Sequence, residues 1–106
     1  MPRVLINVPA KAKRGDIIEI KTLISHPMES GFRIGANGAP IPRDIITIFT
    51  CTYNGDEIFR GELSPAIAAN PFISFSTVAR DSGSLEFRWT GDNDFAATET
   101  AAITVE

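Results

Sequence analysis

Two alternating runs meet at the dipeptide Asn54-Gly55, and no other feature of the sequence limits the fold as tightly. Asn-Gly fits the two positive-φ positions of a type I′ turn, the turn whose twist matches two paired strands. Before it, Ile45, Thr47, Phe49, Cys51 and Tyr53 share one face of the run 45–53. After it, residues 56–63 lead back, and the whole predicts a β-hairpin. The same period of two recurs in 16–25, with Ile18, Ile20, Thr22 and Ile24 on one face and Glu19 and Lys21 on the other. Leu85, Phe87 and Trp89 alternate with Glu86 and Arg88. Residues 3–8 (ended by Pro9), 72–78 and 96–105 complete seven strands. Ser64, Pro65 and Asn70-Pro71 punctuate a single helical turn between two of them.

Composition agrees with a sheet. Ile, Val, Thr and the aromatics make up 36 of 106 residues, whereas Leu occurs only 4 times. The expectation is one domain over residues 1–106, an all-β, immunoglobulin-like antiparallel sandwich. That length excludes a Rossmann or TIM-barrel cofactor fold. A net charge of −3 gives no basic footprint for nucleic acid. One Cys and one His leave no intrachain disulfide, multi-cysteine zinc site or multi-histidine centre, and no cofactor is expected. No run is apolar enough for a signal-peptide core or membrane insertion, so the residues alone place the chain in the cytoplasm.

Few residues could carry chemistry. Cys51 shares its strand face with Phe49 and Tyr53, where burial raises a thiol pKa and suppresses the thiolate. It reads as a small core hydrophobe. His26 stands where a strand enters a 19-residue segment, 26–44, rich in Gly and Pro. With Asn37-Gly38 as its turn, that segment reads as a projecting β-arm. Its residues His26, Met28, Glu29, Phe32, Arg33, Ile41 and Arg43 are expected to form a recognition surface. A second oddity is apolar surplus. Ile17, Leu23, Ile46, Ile48, Phe72 and Val78 fall on faces opposite the expected core, more than a free-standing sandwich exposes. Leu23, Ile46, Ile48 and Phe72 are therefore the candidates for an interface covered by another chain.

The run Lys21-Thr22-Leu23-Ile24-Ser25-His26-Pro27-Met28-Glu29-Ser30-Gly31 closely resembles the SoxZ family, the smaller subunit of the SoxYZ sulfur-carrier complex of bacterial thiosulfate oxidation. Ile41-Pro42-Arg43, Phe49-Thr50-Cys51, Ala69 to Phe75, Phe87-Arg88-Trp89 and Ala102 to Val105 extend the resemblance over nearly the whole chain. Gly91-Asp92-Asn93-Asp94 departs slightly from the acidic turn of that family. The resemblance implies an immunoglobulin-like fold and a stable heterodimer with SoxY. There the sulfur rides on a cysteine in the partner's Gly-Gly-Cys-Gly-Gly tail. It further implies a non-catalytic role, transient contacts with the haem and manganese enzymes of the pathway, and periplasmic residence through export with a signal-bearing partner. Two competing readings are a generic sandwich-type binding module and a thiol enzyme built on Cys51.

Overall fold

The computed structural model describes residues 3–106. Eight strands form two sheets: β1 (Val4–Asn7), β2 (Lys11–Ala12), β3 (Ile17–Ile24), β4 (Ile46–Tyr53), β5 (Asp56–Glu62), β6 (Phe72–Val78), β7 (Gly83–Gly91) and β8 (Ala96–Val105). One sheet has the order β1-β3-β6, the other β2-β8-β7-β4-β5. The seven expected strands are all present. The eighth, β2, is a two-residue piece that pairs parallel with the end of β8. Residues 64–70 differ from expectation. They hold a single hydrogen-bonded turn, in which Ile67 N–H donates to Ser64 C=O and Ala66 N–H to Ser64 Oγ. The Ser64 side chain caps one turn, and the chain then leaves it without becoming helical.

The alternation read from the sequence builds the core. Ile18, Ile20, Thr22 and Ile24 of β3 face Phe49, Cys51 and Tyr53 of β4 and Leu85, Phe87 and Trp89 of β7, all of them buried. Phe49 lies among Phe59, Phe75, Phe87 and Trp89, with ring centroids 5.2 to 6.4 Å away. The Asn54-Gly55 turn closes β4 on β5, with Asn54 at φ 48° and Gly55 at φ 89°. The Tyr53 hydroxyl ties this corner to the β6–β7 connection, donating to Asp81 C=O and accepting from Arg80 N–H.

One register irregularity changes the expected face assignment. Between Ile46 and Ile48, β4 carries an extra residue against β7, where Ile46 pairs with Gly91 and Ile48 with Thr90. A bulge of this kind lets neighbouring residues turn to the same side. Ile45 and Ile46 are therefore both buried, at 1 % and 0 % exposure. Gly91 makes room for it, since a Cβ there would overlap the Ile45 carbonyl and lie 2.7 Å from Ile46 Cα.

Candidate interaction surface

The outer face of the three-stranded sheet carries one apolar row across all its strands. Leu5 of β1 pairs with Leu23 of β3, which pairs with Phe72 of β6. Pairing in register points their side chains the same way, outward. Leu5 is 56 % and Phe72 60 % exposed, and Leu23 is half-buried between them. Two shallow grooves of about 400 and 360 Å³ border the row, lined at their polar margins by Arg3, Ser25 and Asn70 and by Asn7 and Lys21. At the other end of the sheet Ile17 pairs with Val78, and both are exposed. Of the four interface candidates read from the sequence, Leu23 and Phe72 thus meet, and Leu5 joins them. The other two do not. Ile46 lies in the core because of the bulge. Ile48 is half-buried on the far sheet, beside Thr50, Glu57, Arg60, Arg88 and Thr90.

Residues 29–44 form the projecting arm. Glu29 and Asp44 exchange both backbone hydrogen bonds at 2.8 Å. Farther out, Ile41 N–H donates to Arg33 C=O and Gly35 N–H to Ala39 C=O. Gly38, at φ 80°, makes the turn. The molecule extends 58 × 20 × 20 Å, with a radius of gyration of 16.1 Å where a compact chain of this length has about 13 Å.

The arm is pinned at its base by side chains that are distant in sequence. Asp92 accepts two hydrogen bonds from Arg43, at 2.8 and 2.9 Å, and a third from Ile45 N–H at 3.1 Å. These contacts hold its carboxyl below the usual carboxylate range, the Arg43 hydrogen bonds most of all. Glu29 is lowered in the same way by Arg33, its hydrogen-bonded neighbour four residues on. The outer arm presents Phe32, 84 % exposed, together with Ile34, while Ile41 is half-buried.

His26 and Met28 correct the expectation of a surface role, since both are buried. Met28 N–H donates to His26 Nδ1, which leaves the ring hydrogen on Nε2, 3.9 Å from Asp44 Oδ1. The imidazole edge meets Phe95 at 4.8 Å, and Met28 Sδ accepts from Ile46 N–H. The pair plugs the root of the arm into the core. Asp92 was not among the residues singled out in the sequence, where it stands only in the turn Gly91-Asp92-Asn93-Asp94.

Cys51 is fully buried, and desolvation pushes its thiol up to about 12. Among the described residues no three His, Cys, Asp or Glu side chains converge as metal ligands would.

A family model described as sulphur oxidation protein SoxZ matches residues 6–102. The chain belongs to the SoxZ family. No curated protein matches it. Several solved structures share the fold at low identity. A superoxide reductase (neelaredoxin) from Ignicoccus hospitalis is 16 % identical with a TM-score of 0.71, over 97 % of this chain and 80 % of that one. The sulfur carrier protein SoxY from Chlorobium limicola f thiosulfatophilum is 12 % identical with a TM-score of 0.67, over 97 % and 78 %. A CARDB domain from Pyrococcus furiosus is 14 % identical with a TM-score of 0.57, over 100 % and 94 %. Membership of the SoxZ family places the apolar row, the arm and the enclosed thiol on a sulfur-oxidation protein.

Proposed function

We propose that the chain is the non-catalytic subunit of a SoxYZ-type carrier complex in thiosulfate oxidation. It pairs with a SoxY subunit whose C-terminal cysteine holds the covalent sulfur intermediate. The observation that carries this reading is a division within the molecule. Its thiol is enclosed, while an apolar row lies open on one sheet. A carrier thiol must reach several enzymes and ionise near neutral pH. At a pKa of about 12, Cys51 does neither. Apolar side chains aligned across three strands are what an obligate interface leaves bare when its partner is absent. In this reading the SoxY subunit covers Leu5, Leu23 and Phe72. The arm, with Phe32 and Arg33 outermost, meets the enzymes that load and unload the carrier. The complex works in the periplasm, where the partner's export signal delivers both subunits.

Reconstitution with a SoxY subunit tests the assignment. Intact-mass analysis after thiosulfate turnover is expected to find added sulfur on the partner and none on this chain, with turnover retained in Cys51→Ala. A persulfide or thiosulfonate on Cys51, lost together with turnover in that variant, would overturn it.

A further inference from the structure

Each sheet has two edges, and they are finished differently. The β5 edge carries Asp56, Glu57, Arg60 and Glu62 and a register shift opposite Cys51 and Thr52. The β1 edge is four residues long and is followed by Pro9. The β2 edge is two residues. Charges, bulges, prolines and short length are the usual devices that stop another chain from pairing with an edge. β6 has none of them within its length, although Pro71 stands just before it. Phe72-Ile73-Ser74-Phe75-Ser76-Thr77-Val78 holds no charge, no proline and no glycine, and it pairs with β3 without interruption from Ile17–Val78 to Leu23–Phe72. On its other side it pairs with no strand among the described residues. The preceding connection bonds elsewhere, with Ile24 N–H donating to Pro71 C=O and Asn70 N–H to His26 C=O.

A long, uncharged, straight edge offers alternate N–H and C=O groups in the register that another extended backbone can pair with. The flank beneath it points the same way. Phe75 of β6 stacks on Phe59 of β5 at 4.4 Å, and both rings are only partly buried at the open side of the sandwich. An incoming strand with an apolar residue at every second position would close over them. Phe72 belongs both to this edge and to the apolar row, so edge and face form one continuous surface.

We propose that β6 receives an added strand, an extended segment of the SoxY subunit with apolar residues alternating toward Phe75. The three-stranded sheet becomes four-stranded in the complex. The proposal rests on the heterodimer reading above and specifies its geometry.

Residue-resolved amide exchange tests it, on the chain alone and on its complex with the co-expressed SoxY subunit. Alternate amides of residues 72–78 are expected to exchange on the order of 100-fold more slowly in the complex, as newly hydrogen-bonded groups do. The β5 edge amides should change little. A complex that forms with the β6 amides unprotected would overturn strand addition and leave the heterodimer standing. Failure of the two chains to associate would overturn both. In a second arm, Thr77→Lys sets an inward-pointing charge on the edge and should weaken association at least about tenfold, whereas Thr98→Lys on β8 should not. Equal affinities for the two variants would contradict the proposal. Should Thr77→Lys fail to fold, the exchange measurement on the unaltered chain decides alone.

Discussion

The two sheets turn opposite kinds of surface outward. On the five-stranded sheet, Arg60, Thr50, Arg88 and Thr98 pair across β5, β4, β7 and β8, and the next row is Glu57, Thr52, Glu86 and Thr100. Basic and acidic rows lie side by side, and Arg60 bonds Glu57 directly. That face is finished for water. On the three-stranded sheet one row is Leu5, Leu23 and Phe72; past the polar rows of Asn7, Lys21 and Ser74 and of Glu19 and Ser76, the exposed pair Ile17 and Val78 follows. Both sheets share one core and one alternating pattern, so folding alone does not require this asymmetry. The apolar row is the part of the molecule that the proposed SoxY partner would cover.

The contrast breaks most visibly under charge. Phe72→Glu and Leu5→Glu should each weaken binding of the SoxY subunit about 100-fold or more, near 3 kcal/mol, as at interface hot spots. Both side chains are exposed in the free chain, so its stability should move by no more than about 0.5 kcal/mol. Thr50→Glu and Thr98→Glu on the other face should leave affinity within about twofold. Calorimetric titration of the four variants measures the difference. Equal losses on both faces would remove the distinction.

A smaller effect sharpens the comparison, because the polar face stays polar only while Ile46 is inside. Gly91→Ala puts a Cβ against the Ile45 backbone and should cost about 1–3 kcal/mol. That lowers the thermal midpoint by several degrees. An unchanged midpoint would mean that the bulge does not depend on Gly91.

Seven of the eight strands and the core were legible because Ile18, Ile20, Phe49, Phe87 and Trp89 obey the local period of two. Ile46 was misplaced because a bulge shifts register by one residue and leaves no mark in its own alternation. Its only trace is Gly91, on another strand. Leu5 escaped notice for a related reason: Val4-Leu5-Ile6 is apolar throughout, and only pairing with Leu23 shows which way each side chain points. The arm was foreshadowed by Asn37-Gly38 and its prolines. Its root was not, because Asp92 stands 49 residues from Arg43 and nothing in either neighbourhood names the other.

The smallest expected effect concerns that root. The folded carboxyls of Glu29 and Asp92 lie below their ordinary values of 4.5 and 3.8. Their stabilising contribution is therefore complete above those values and lost as pH falls through the lower, folded ones. Below about pH 4, the protection of the Glu29 and Asp44 amides relative to their intrinsic exchange rates should begin to fall while the β3 and β7 amides stay protected. Asp92→Asn should bring that loosening to neutral pH. An arm base that stays equally protected from pH 7 to pH 3, in both proteins, would contradict the role given to these pairs.

In the proposed complex the apolar row on the three-stranded sheet is the covered face. Methyl cross-saturation tests it most directly, with this chain methyl-labelled in a deuterated background and the SoxY subunit unlabelled and irradiated. Strong transfer is expected to the methyls of Leu5 and Leu23, and little to Ile48 or to Thr50 and Thr98. Transfer to Ile48 and those threonines, with Leu5 and Leu23 unaffected, would place the partner on the polar sheet and contradict the account.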